Sequence, residues 1–464
     1  MNRRTILLGA AVVQQVACTA LLDFEVCEVD DHCGDGFVCM AQRCSEAQAQ
    51  AQVIEVNAPI TADTTWESPN TYVLDGVIYV APGVTLTIRS GTTVRGREGS
   101  ALVVESGGTL QARGTEFEPI VFTSDKPERE RVPGDWGGVA LLGRAPVNTA
   151  GAVLEGVNET DRAGFGGSDP TWSCGVLEYT RIEFAGFAVK QDEELNGLTL
   201  AGCGSGTLIS HVQVHYGLDD GIELFGGSVN LRNIVVSRAQ DDSIDWDLGW
   251  TGAVQFLVAQ QDAEGDNGFE GSNNGDDGDA VPRSAPRFFN VTLIGSGSTG
   301  SQRAMTLKEG TAGTFHNLVI TGHPLEGIDI KDAATAERLM AGELTLRHTI
   351  MYGIGADDMT YFPSVEDETE MTEGDERDDD EGFDEAGFFA MESTIMFGVD
   401  ATLPAPFDLE LPGWVPLGDA PLQAGLAPSG APFDGFDELA SYAGAFQPAT
   451  GAPWTANWTR FPRD

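Results

Sequence analysis

NGLTL (196–200), DGIEL (220–224), DSIDW (242–246), NGFEG (267–271), AMTL (304–307) and EGIDI (326–330) are variants of one short phrase. Each holds a small residue, namely Gly197, Gly221, Ser243, Gly268, Ala304 and Gly327, followed by an apolar one, namely Leu198, Ile222, Ile244, Phe269, Met305 and Ile328. The small residues are spaced 24, 22, 25, 36 and 23 apart. A short β-type run recurring at about 22 residues is the mark of a solenoid of stacked coils. One coil cannot bury its apolar side alone. Stacking closes a continuous core and pairs each backbone donor with the coil above or below. The small column marks a turn that needs positive φ or close backbone approach. A second column runs His211, Asn233, Asn290, Asn317 and His348, each followed by β-type residues.

Outward from this centre the same texture holds. From Val53 the chain alternates short apolar runs with Gly, Asn and Asp, as in TYVLDGVIYVAPGVTLTIRSGTTV. No long stretch has a helical period. The His/Asn column resembles the polar ladder that parallel β-helices place at a tight turn, with side chains bonded along the stack. Ten to thirteen coils are expected, roughly 50–60 Å of axis at the interstrand spacing. Ends of a solenoid need covering. Trp66 is expected near one cap, and Phe446, Trp454, Trp458 and Phe461 at the other. Inserts widen the coils at Gln261–Arg287 and at Tyr361–Gly387, the latter carrying VEDETEMTEGDERDDDEGFDE, a run of like charges expected to be a solvated loop.

Several stretches resemble a family of right-handed parallel β-helix proteins of the bacterial envelope: GDWGGVALLGRAPVN (134–148), VLEYTRIEFAG (176–186), NGLTLAGCGSGT (196–207), LDDGIELFGGSVN (218–230) and YAGAFQPATGAPWTANWTRF (442–461). The resemblance implies an all-β, right-handed parallel β-helix over 53–464, in a lipoprotein or surface protein. It implies no catalytic residues.

One constellation carries chemistry. Acidic residues recur at one corner of successive coils: Asp219, Asp241 and Asp266; then Asp220, Asp242, Asn267 and Glu326; then Glu223, Asp245, Glu270 and Asp329. Stacked residues lie about 4.8 Å apart. Two charges at that distance repel by about 3–4 kcal/mol at an effective dielectric of 20. Three readings compete. The residues are solvated turn formers, since Asp and Asn bond their own backbone in turns. They bind calcium, a hard cation that takes six to eight oxygens. Or paired carboxylates act as acid and base in a polysaccharide lyase or glycoside hydrolase. Asp219, Asp220, Glu223, Asp241, Asp242, Asp245, Asp266 and Glu270 are the candidate metal ligands. His211 and His215 lie about 13 Å apart on an extended strand, too far for one metal. Trp136, Trp172, Trp246 and Trp250 are either core residues or a sugar-stacking surface. No nucleophile elbow, phosphate loop or dinucleotide fingerprint occurs in a suitable context.

The N-terminus reads as an address. Arg3 and Arg4 precede the apolar run TILLGAAVV (5–13), so residues 1–17 form a signal peptide. Gln15-Val16-Ala17-Cys18 resembles a lipobox, with Gln15 where Leu is usual. Lipidation of Cys18 implies an outer-membrane or cell-surface lipoprotein, and ordinary cleavage implies secretion. Six cysteines remain. Cys27, Cys33, Cys39 and Cys44 make residues 18–45 a small disulfide-rich module, which resembles one found in Gram-negative envelope proteins. Export favours disulfides over zinc there. Cys174 and Cys203 are left to pair in the main domain, after a linker at 46–52. The net charge of −46, with 72 acidic against 26 basic residues, opposes nucleic acid. The expected partners are a membrane, through the lipid anchor, and an extended glycan or surface protein.

Overall fold

The computed structural model describes residues 37–40, 43–46, 50–157, 160–190, 193–297, 300–363, 380–448 and 451–463. The chain divides into two units, 1–50 and 51–464. In the first, Phe37–Met40 pairs antiparallel with Arg43–Glu46, and Cys39 stands opposite Cys44 in the register. Cys18, Cys27, Cys33 and most of the acidic stretch at 361–387 lie outside the described residues.

The second unit is a parallel β-helix. A narrow sheet of nine parallel strands runs from Val77–Val80 to Ile328–Ile330. A broad sheet of sixteen strands contains an unbroken path of twelve, from Val53–Val56 to Ile395–Phe397. Twelve rungs span about 50 Å at the usual interstrand distance, within the range expected from the repeats.

The repeated phrase is the narrow sheet. Leu198, Ile222, Ile244, Phe269, Met305 and Ile328 are successive register partners. The column continues backwards through Val139, Leu102 and Ile78, and all nine are buried. The small column exists for close approach. A Cβ at Gly197 would stand 2.3 Å from Val214, and one at Gly221 would stand 2.4 Å from Val236. Trp246 fills the core where the next coil offers Gly271, whose Cβ would lie 2.0 Å from the indole.

The second column is real, but its bonding differs from expectation. Tyr179, His211, Asn233, Phe256, Asn290, Asn317 and His348 all have φ between 47° and 65°. Each bends a broad-sheet strand through the left-handed region. The described residues of the C-terminal segment 398–463 then lie as a strap along the outer face of that sheet, and Asn290, Asn317 and His348 of the column bond to it. Asn290 donates to Tyr442 O (2.7 Å). Asn317 donates to Leu426 O and Ala440 O and accepts from Leu426 N. Further along, Gln213 and Gln255 exchange paired bonds with Arg460 and Asp437.

The C-terminal aromatics therefore do not seal an end. Phe446 and Trp458 pack sideways on Val235, Val258 and Ile294, with Trp454 and Phe461 against them. An apolar strip on the sheet's outer face needed covering, and the strap covers it. Towards the N-terminal end Trp66 is buried and stacks on Tyr72 (centroids 4.8 Å). At the other end the helix Ala333–Ala341 contributes Ala336 and Leu339 to the core, joined by Phe389 and Ile395. The helix is capped by Asp332, which accepts from Thr335 N. Trp136, Trp246 and Trp250 are fully buried core residues, while Trp172 lies half-buried under the Arg144 guanidinium. Cys174 and Cys203 form the expected disulfide (Cα–Cα 5.8 Å).

Candidate functional site

Each coil leaves the broad sheet, turns a corner and enters the narrow sheet. Backbone bonds across the stack fix that corner: Gly197 N to Asp220 O (2.8 Å), Gly221 N to Asp242 O (2.8 Å) and Ser243 N to Asn267 O (3.0 Å). Equivalent acidic residues are thereby held one above another. The Asp220–Asp242–Asn267 column is a true ladder. Asp220 Oδ1 accepts from Asp242 N (2.9 Å), and Asp242 Oδ1 accepts from Asn267 N (2.7 Å). Asn267 Oδ1 accepts in turn from Thr306 (2.7 Å). Part of the acidity is thus structural.

The outward column of the narrow sheet reads Tyr79, Val103, Ala140, Thr199, Glu223, Asp245, Glu270, Thr306, Asp329. Its apolar half is roofed by a segment between Gly143 and Cys174. This segment lays Leu154, Val157, Ala163 and Phe165 on Tyr79, Val103 and Ala140. Arg162 clamps it by stacking over Tyr79 (4.1 Å) and pairing with Glu105. The acidic half begins where the roof ends.

Seven of the eight predicted ligands meet in three overlapping clusters: Asp219, Asp220 and Asp241; Asp220, Glu223 and Asp245; Asp241, Asp242 and Asp266. In each cluster one oxygen from every residue lies within 4.8 Å of the others. Asp220, Glu223 and Asp242 are only 6%, 7% and 4% exposed. Burial first, then the like charge of the neighbours, holds Asp220, Glu223, Asp242 and Asp245 well above the usual carboxylate range. For Glu223 those neighbours include Glu155, from the roof.

The later rungs carry their own cations. Lys308 pairs with Glu270, while Arg303 (2.9 Å) and Lys331 (3.1 Å) pair with Asp329. Glu270 is therefore an ion-pair partner and stands outside the clusters. At the Glu223 and Asp245 rungs the compensation is weaker. Glu223 accepts from the Asn196 amide, Asp245 Oδ1 is buried without a hydrogen-bond partner, and Lys308 acts on Asp245 only as a nearby charge.

Sequence reading missed Asp247, Lys308 and Glu309 beside this site. Strand alternation would have found Asp247, two residues beyond Asp245 on the same face. Burial, opposed by the Leu248 N–H, pushes Asp247 up to about 7. The two candidate histidines, His211 and His215, take no part. His215 is buried between Ser237 Oγ (2.8 Å) and Pro462 O (2.7 Å), and His211 stacks on Tyr179 (4.2 Å). Burial lowers both to about 4.

The family model of a pectate-lyase-like β-helix domain matches residues 58–388. The chain belongs to that family. No curated protein and no solved structure matches it. In this pectate-lyase-like β-helix the matched span contains the whole narrow sheet, the roof and the acidic corner. Family membership fits a binding role and a lyase role equally.

Proposed function

We propose that this protein is a cell-envelope lipoprotein, anchored through Cys18, whose β-helix binds calcium at the acidic corner and presents a lateral face to an extended glycan or protein. The observation that carries the cation reading is the Asp220–Glu223–Asp245 cluster. Three carboxylates converge in a largely buried place, one oxygen is left without a hydrogen bond, and it is the later acidic rungs, Glu270 and Asp329, that pair with lysine and arginine. An all-oxygen donor set of this charge suits a hard divalent cation. Asp220, Glu223 and Asp245 would hold it, with the Asp241–Asp242–Asp266 cluster as a second position. Its chemistry there is to neutralise the ladder and leave coordination positions for hydroxyl or carboxylate oxygens of a ligand.

The test is thermal unfolding of the purified chain across calcium, magnesium and chelator. A cation that binds only the folded state adds about 2.7 kcal/mol at a hundredfold excess over Kd. A calcium-specific rise that is absent in Asp220→Asn/Glu223→Gln supports the reading. Equal melting in calcium and chelator overturns it.

A second reading is a polysaccharide lyase or hydrolase. The observation in its favour is Asp247, held near neutrality beside Lys308. A group titrating there can exchange protons at physiological pH. Loss of glycan cleavage in Asp247→Asn, with wild-type melting retained, would establish it. A wild-type chain that cleaves no polysaccharide would remove it.

A further inference from the structure

A different corner of the coil carries a second site. Where the chain leaves the strand Ala253–Gln260, residues 261–264 face the strap residues Phe407 and Leu409 across a cavity of about 310 Å³. Arg238, Asp262, Glu264 and Ser296 also wall it. Phe407 is 46% exposed. Its ring rests on Gly297 and Gly322, where a Cβ would come within 2.9 and 2.3 Å of ring atoms. Both glycines have positive φ, +88° and +76°, so backbone and ring together require glycine. A phenylalanine seated this way and left open serves no core.

The opposite wall is polar and held in place. Arg238 Nε donates to Asp262 (2.7 Å), and its guanidinium lies 3.6 Å over the Tyr216 ring. Gln240 donates to Glu264 (2.6 Å), and Glu264 N donates to Asp262 Oδ1 (3.1 Å). Gln261, only 1% exposed, has a hydrogen-bond partner on neither amide atom.

We infer that this cavity binds one residue of a neutral glycan. A pyranose ring has an apolar C–H face for an aromatic ring and a rim of hydroxyls that both donate and accept. The cavity offers that combination: an open phenyl face, two carboxylates and a guanidinium. Its volume is at the lower end of the range for ligand pockets, about 300–1,000 Å³, which suits a single ring. Asp262 and Glu264, within a chain of net charge −46, repel uronates and sulfated or phosphorylated sugars. The selected sugar is therefore uncharged. This site is distinct from the cation clusters and does not rest on them.

Ligand-observed saturation-transfer NMR on the full chain, in chelator, tests this with the methyl glycosides of glucose, galactose, mannose, N-acetylglucosamine and galacturonic acid. At least one neutral glycoside binds, and the galacturonoside does not. Phe407→Ala weakens that binding about tenfold or more, the scale of a lost aromatic contact. Phe407→Trp retains it, and both variants melt like wild type. Absence of binding by every neutral glycoside, equal binding by Phe407→Ala, or equal binding of the galacturonoside overturns the inference. Binding that appears only with calcium also overturns it and places the glycan at the acidic corner instead.

Discussion

Glu223 and Asp245 show what a single side chain does in a repeat. Their column is apolar or neutral in the coils before Glu223, and the two carboxylates face each other across one rung. Asp220, Glu223, Asp242, Asp245 and Asp247 all titrate higher in the folded chain than when unfolded. The sign follows. Their contribution to stability is complete below the unfolded carboxylate range and is lost as pH rises through the folded values, about 7 for Asp247. In chelator, the melting temperature should therefore fall as pH rises from about 4 towards 7–8. Saturating calcium should flatten that slope. Glu223→Gln keeps the shape and removes one carboxylate, so it should raise the unfolding free energy at pH 7.5 in chelator by about 1–2 kcal/mol, read as a higher melting temperature. It should also reduce the response to calcium. A variant less stable than wild type in chelator would mean the Asn196 bond outweighs the repulsion.

Among the elements, the narrow sheet was readable in advance and the strap was not. Leu198, Ile222 and Ile244 repeat because every coil presents the same inward position, and Gly197 and Gly221 repeat because Val214 and Val236 fill the same space. Gly221→Val should cost about 3 kcal/mol or more, since backbone as well as side chain must shift; chemical denaturation measures it. The acidic corner was readable for the same reason, as columns at a fixed offset. Its partners were not. Lys308 reaches Glu270 from just beyond the adjacent strand, and the roof brings Glu155 from a segment with no repeat. The strap is mostly turns, and its contacts run from side chain to backbone, so no periodicity announces it. Asn317 is its firmest anchor. Asn317→Ala removes three hydrogen bonds and places a Cβ residue without the asparagine's tolerance at φ 65°. The expected loss is about 3 kcal/mol, read as a shift in denaturant midpoint at unchanged slope.

At the scale of the molecule, residues 51–464 are a stack of parallel coils, and the proposed anchor lies at Cys18. If Cys18 carries lipid, Cys18→Ser moves the protein from the membrane to the soluble fraction without altering the melting of the β-helix. Retention of the variant in washed membranes would overturn the anchor. The rod itself is not free to vary in length. An ordinary solenoid can gain or lose a repeat wherever its neighbours match. Here the strap meets Gln260 through Pro406 and Asp408, returns to His348 at Ala424, and then crosses the coils at fixed rungs to Gln213 and His215. Deleting one coil would slide every contact on one side by a rung, bringing Tyr442 opposite the wrong asparagine. The C-terminal segment is a gauge, and the number of coils beneath it is set by its length.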